Sequence, residues 1–187
     1  MILSDRDIQT LIKKRELIFK PSLSPKQIGP ASIDLKLGPE FKVFHTSRVS
    51  LLDPKQGLPK DFMDTHILKG DEPFILHPSD FVLASTVEYI AVPNGYIVRA
   101  EGKSTLARMG ILVHTAGFVD PGFEGNITLE ISNQSDLAVA LYAGMYICQI
   151  AVEKMSSPAD VPYNKRKTSL YAGSKGTIEA KPKNLFE

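Results

Sequence analysis

Ile8, Leu11 and Ile12 recur at helical spacing in LSDRDIQTLIKKREL, and Lys13, Lys14 and Arg15 fall on the other side or toward its end. Apolar residues three and four apart line one helix face, and Ser4 or Asp5 is placed to cap the first turn. The spacing therefore predicts an N-terminal helix. Beyond it the period shortens to two. SIDLKLG (32–38), FVLASTVEYIAV (81–92), YIVRAE (96–101), NITLEIS (126–132) and MYICQIAVEKM (145–155) read as strands, punctuated by 13 prolines and 13 glycines. Short strands so interrupted predict a mainly β sandwich or barrel with few short helices. No βαβ alternation and no internal repeat is visible. The last stretch, PYNKRKTSLYAGSKGTIEAKPKNLFE, is basic and lacks apolar periodicity, which predicts a mobile tail over 163–187. The chain as a whole, 1–187, reads as one domain.

Composition narrows the chemistry. Of 187 residues 43% are hydrophobic, enough for one ordinary core, and 22 basic against 21 acidic residues leave a formal charge of +1. No global field suits long nucleic acid or an anionic membrane, so neither is expected as a partner and any anion site must be local. Cys148 is the single cysteine, which excludes an internal disulfide and the Pro-Cys-x-x-Cys zinc ligation of nucleobase deaminases. The beginning, MILSDRDIQ, carries charges too early for a secretory signal, and no apolar run reaches membrane-spanning length. A cytoplasmic protein is expected.

Two stretches carry candidate chemistry. The first, RAEGKSTLARMG, contains Gly-Lys-Ser-Thr, the close of a P-loop. The glycine that the P-loop requires five positions earlier is Ile97, inside a strand pattern, so the phosphate-wrapping loop is missing. What remains is a short helical turn ended by Gly110. Ser104 or Thr105 would sit at its start, where unsatisfied N–H groups favour an anion, with Arg108 one turn on and Lys103 beside them. An ordinary capped turn with a solvated arginine reads equally well. The second stretch is TAGFVDPGFEGNITLEIS. Ile127, Leu129 and Ile131 point to one face of its strand, and Thr128, Glu130 and Ser132 to the other. A glutamate in mid-strand runs against propensity, and beside it lies a turn with Gly117, Gly122 and Gly125 around Asp120 and Pro121.

These segments resemble the dCTP deaminases of the dUTPase-like superfamily. The matches are MILSDRDI, QIGPASIDLKLG, GKSTLARMG, HTAGFVDPGFEGNITLEISN, LYAGMYICQI and the terminal PYN and LYAGSKG. The resemblance implies a distorted jelly-roll or β-clip fold, a homotrimer with sites between neighbouring subunits, and zinc-free deamination of dCTP to dUTP and ammonia. Mg²⁺ would ride on the triphosphate, with no protein metal ligand. Glu130 becomes the general acid and base that moves protons between the attacking water, the ring nitrogen and the leaving amine, a task that partial desolvation assists. Ser104 and Arg108 stand beside that carboxylate, and Lys103 and Thr105 near the phosphates. Asp120 meets the 3′-hydroxyl, while Thr115 and Ala116 read the cytosine edge through the main chain. Thr128, Leu129 and Gln149 complete the substrate contacts, and Tyr163, Tyr171 and Lys175 belong to the tail that folds over the triphosphate. dTTP is a candidate inhibitor.

Departures from the family pattern also carry information. Lys103 replaces an arginine fork by a point charge, and Leu170 and Ser174 stand where relatives carry a tail lysine and glutamine, with Lys167 and Lys175 close by. His114 directly precedes Thr115, one residue closer than in many relatives, which favours a structural histidine. That spacing, with Gln149 in a dUTPase-like Tyr-Ile-Cys-Gln-Ile, resembles a branch with bifunctional members that carry dUTP on to dUMP and pyrophosphate. In that second reaction Asp120 would orient a water toward the α-phosphorus. The main expectation is dUTP release. The alternatives are the bifunctional enzyme, a plain dUTPase, and a non-catalytic nucleotide sensor.

Overall fold

The structure, a computed structural model, describes residues 1–47, 49–114, 117–182 and 185. The N-terminal helix is α1, Asp5–Lys13, with Ser4 at its N-cap, Asp5 and Asp7 in the first turn and Lys13 in the last, a distribution that complements the helix dipole. Ile8 and Leu11 are buried and Ile12 packs beside them. The amphipathic stripe thus seats the helix on the core.

The strands are β1 (Ile18–Lys20), β2 (Ile33–Lys36), β3 (Glu40–Phe44), β4 (Met63–Ile67), β5 (Pro73–Leu76), β6 (Phe81–Ala91), β7 (Tyr96–Gly102), β8 (Ile111–His114), β9 (Phe118–Val119), β10 (Glu124–Asn133), β11 (Val139–Tyr142) and β12 (Tyr146–Lys154). The mainly β expectation is met, and each strand read from the sequence is present within a few residues. The sequence reading missed the short ones. β3 and β4, for example, each bury a single residue fully, so the alternation is too weak to read.

Three sheets form. One runs β4-β3-β6-β10-β8 with β1 on the far part of β6, a second runs β2-β12-β7-β9, and β11 pairs with β5. The first two face each other across one core: Val82, Ala84, Ile90, Leu129 and Ile131 from one side, and Ile33, Leu35, Val98, Ala100, Ile150 and Val152 from the other. Each such valine, leucine or isoleucine contributes about 1.5–3 kcal/mol when buried. Among them lies a polar clamp. The Glu88 carboxylate, 2% exposed, accepts from Gln27 Nε2 at 2.7 Å and from the Lys36 amide at 2.9 Å, and the same Gln27 Nε2 donates to the Asp34 carbonyl at 3.0 Å. A buried carboxylate keeps its charge at low cost only when so satisfied, and this one fixes β2 of the second sheet to β6 of the first.

After β7 the expected turn is α2, Ser104–Ala107, a single turn with Lys103 at its N-cap. Gly110 follows with φ 83°, and a Cβ there would lie 2.6 Å from Ser135 Cβ, so both backbone and space demand glycine. Four residues sum to little dipole, so any grip on an anion at α2 must come from side chains.

Candidate active site

The register of the first sheet places the chemistry. Glu130 of β10 stands opposite Leu83 of β6, and Leu83 opposite Lys42 of β3. One row along, Thr128 faces Ser85, and on the other side Ser132 faces Phe81. Ile127, Leu129 and Ile131 point into the core from the opposite face. Glu130 thus rises from the outer face with an apolar neighbour. Over that face fold Leu58 and Phe62, which pack with Met63, Leu83 and Phe81 in a second apolar cluster.

A cavity of about 460 Å³ opens here, within the range of small-molecule sites. Its floor includes Thr128 and Glu130. Phe118, Val119, Asp120 and Phe123 form one wall, Phe44, Leu52, Leu58 and Phe62 another, and Tyr163, Tyr171, Ser174 and 178–180 a third. The Asp-Pro-Gly turn is held rigidly against the tail: Gly122 has φ 77°, and a Cβ would meet Pro162 at 2.8 Å. The Tyr163 amide donates to the Pro121 carbonyl at 2.7 Å, and its hydroxyl accepts from the Tyr171 amide at 3.2 Å. Burial is the first cause that raises the Tyr163 phenol above its ordinary pKa.

The tail enters as a strap. Ser174 bridges Gly125 in parallel, the Asn126 amide donates to the Ser174 carbonyl at 3.0 Å, and the Gly176 amide to Asn126 Oδ1 at 3.2 Å. Thr177, 3% exposed, donates its hydroxyl to the Glu40 carbonyl at 2.9 Å and its amide to Glu40 Oε1 at 3.0 Å. The Ile178 amide donates to Thr128 Oγ1 at 3.2 Å, and Lys42 Nζ pairs with Glu179 at 2.7 Å. Sequence reading missed Asn126, Thr177 and Glu179. Their role depends on pairing across about fifty or more residues, which no local pattern carries.

The expected site residues fall on two surfaces. Glu130, Asp120, Thr128, Tyr163 and Tyr171 line the cavity. Lys103, Ser104, Thr105, Arg108, Gln149 and Lys175 do not. Ser104, Thr105 and Arg108 are exposed, and Arg108 Nη1 donates to the Ser104 carbonyl at 3.2 Å within its own turn. Lys103 Nζ pairs with Asp34 Oδ1 at 2.7 Å and lies 6.0 Å from the Tyr146 ring centre. Gln149 stands opposite Asp34 and Glu101 on the outer face of the second sheet. Leu129 is 2% exposed, so only its main chain is near the cavity face. Lys175 is exposed. Thr115 and Ala116 lie outside the described residues, as does the side chain of His114.

Among the described residues no three His, Cys, Asp or Glu side chains are grouped to hold a metal ion. Asp120, Glu130 and Glu179 contribute carboxylates to the cavity wall from separate elements. Among the described residues no helix is long and apolar enough to cross a membrane. Cys148 is buried in the core, and desolvation first, then the nearby Glu88 and Asp34 charges, push its thiol up to about 12. It remains a neutral, inert thiol.

The site thus combines a carboxylate in a largely apolar cavity, an aspartate in a glycine-rich turn beside it and a tail along its third wall. The family model described as dCTP deaminase-like matches residues 2–155. The chain belongs to the dCTP deaminase-like family. Its relatives include a protein of Dictyoglomus turgidum named "dCTP deaminase, dUMP-forming", 45% identical over 97% of this chain and 94% of that one. A protein of Methanosphaera stadtmanae with the same name is 42% identical over 100% and 96%. One of Thermomicrobium roseum named "dCTP deaminase" is 46% identical over 100% and 95%. Family membership also agrees in fold. The crystal structure of 2′-deoxycytidine 5′-triphosphate deaminase from Agrobacterium tumefaciens superimposes with a TM-score of 0.64 at 24% identity, covering 82% of this chain and 48% of that one.

Proposed function

We propose that this protein deaminates dCTP and carries the product on to dUMP and pyrophosphate. The observation that carries the first step is Glu130, set in the floor of an otherwise largely apolar cavity that also receives Asp120. In deamination the glutamate accepts a proton from water as its oxygen bonds to cytosine C4. It returns protons to the ring nitrogen and the amine, the C–N bond breaks, and ammonia leaves. Asp120 holds the deoxyribose 3′-hydroxyl and, in the second step, aligns a water toward the α-phosphorus, where the bond to the pyrophosphate oxygen breaks. A divalent cation carried by the triphosphate would supply charge neutralisation there. Triphosphate oxygens are the hard donors such a cation takes, and they would supply its ligands.

The names of the relatives support dUMP as the product better than the dUTP that the sequence reading favoured, since those of Dictyoglomus and Methanosphaera are named dUMP-forming. The separation of Ser104 and Arg108 from the cavity supports a site completed by a second copy of the chain, in keeping with a trimer. In that assembly the two side chains would approach Glu130 and the phosphates from a neighbour.

The test is incubation with dCTP and Mg²⁺ while ammonia, dUTP, dUMP and pyrophosphate are followed together. The proposal expects ammonia and dUMP in step, with no free dUTP lag. Accumulating dUTP would leave only the deaminase, conversion of dUTP without action on dCTP would leave a plain dUTPase, and binding without product would leave a sensor.

A further inference from the structure

From the outer face of the second sheet we infer that Asp34 is a positioning residue that presents Lys103 to the nucleotide phosphates. The inference rests on the reading that the 103–108 turn meets the triphosphate. A lysine ammonium is a point charge on a flexible stem, and ordering that stem on binding costs affinity that a planar arginine fork loses less of. Here the stem is already ordered. Lys103 Nζ lies 2.7 Å from Asp34 Oδ1 and 6.0 Å from the Tyr146 ring centre, with both charged side chains about three-quarters buried. One of the three ammonium donors is taken, so two remain to bind an anion.

Asp34 is itself fixed. Its carbonyl accepts from Gln27 Nε2, and Lys36, two positions on, donates its amide to Glu88 Oε2 at 2.9 Å. Gln27 and Glu88 are 3% and 2% exposed, so β2 is anchored through the core and cannot follow Lys103 outward. Neither Asp34 nor Lys103 lines the cavity around Glu130, so the effect of Asp34 should fall on binding more than on turnover.

The experiment is steady-state kinetics on dCTP for Asp34→Asn, Lys103→Ala and the double variant, with thermal unfolding of each. Asp34→Asn should raise KM roughly threefold to tenfold, with kcat changing less, as expected for loss of one ordered side chain. The double variant should match Lys103→Ala, because Asp34 acts only through Lys103. Asp34→Glu restores the charge at a different reach and should recover part of the KM. It also keeps the inference testable if the asparagine variant unfolds early. A lower KM in Asp34→Asn would mean that Asp34 merely neutralises the lysine, and an unchanged KM beside a raised KM in Lys103→Ala would mean no positioning. Either overturns the inference alone. An unchanged KM in Lys103→Ala would remove the turn from the phosphates and overturn the underlying reading with it.

Discussion

The cavity around Glu130 and the turn from 103 to 108 differ in how they are built. The cavity is assembled from the first sheet, the Asp-Pro-Gly turn, the loop that brings Phe62 and the terminal strap, all hydrogen-bonded or packed to one another within one chain. It is complete in shape and carries carboxylates. The turn lies on another surface, carries Lys103 and Arg108, and exposes Ser104, Thr105 and Arg108 to solvent. The difference is one of charge: among the described residues the cavity is lined by carboxylates and by no lysine or arginine, while Lys103 and Arg108 sit on the other surface. On the proposed reading, a second copy of the chain brings the two together, and assembly becomes a condition of activity.

The sharpest way to probe the cavity side is Glu130→Gln. Ammonia release should fall by roughly a thousandfold while dCTP binding persists, since the amide keeps the shape and loses the proton transfer. Normal turnover would take Glu130 out of the reaction. On the other side, Arg108→Ala should lower kcat/KM for dCTP by about a hundredfold, the scale of losing one charge-stabilising donor. Its unfolding midpoint should hardly move, because the side chain is exposed and bonds only within its own turn. A change in stability alone would make the turn a structural cap. Asp120→Asn should divide the two reactions, so that dUTP accumulates as ammonia continues to appear. Equal losses of both would show that Asp120 serves binding only.

Smaller effects test the frame. Thr177→Val removes the buried hydroxyl bond to Glu40 and should destabilise the protein by about 1–2 kcal/mol in denaturant titration, with a rise in KM as the strap loosens. Cys148 should resist alkylation at pH 8. Its folded pKa of about 12 exceeds the ordinary 9.0, so the folded state holds the proton more tightly. Stability should therefore be unaffected below pH 9 and fall as pH rises from there toward 12. Rapid native-state alkylation would place the thiol at the surface.

Much of this was legible in the chain. Alternation in NITLEIS fixed which face Glu130 takes, because one-residue shifts would bury it among Ile127 and Ile131. The spacing of Ile8 and Leu11 located α1, and Gly110 marked the end of the turn that contains α2. Asp34 was half legible: SIDLKLG places it opposite Ile33 and Leu35, on a polar face, but nothing local says that Lys103 lies above it. The strap was read as a mobile tail because residues 174–179 show little apolar periodicity. Their hydrogen bonds go to Gly125, Asn126, Thr128 and Glu40, and long-range pairing of that kind leaves no periodic trace. The split between two surfaces leaves no periodic trace either, and only the family resemblance, with its sites between neighbouring subunits, pointed toward it.

That split is tested most directly by mixing chains. Glu130→Gln and Arg108→Ala, each inactive, are co-refolded in equal amounts and assayed for ammonia from dCTP. If the cavity of one copy is completed by the turn of another, random assembly restores about a quarter of the sites, each pairing an intact cavity with an intact turn. Activity no higher than the separate variants show would mean that each chain builds its site alone, and the account of the two surfaces would be wrong.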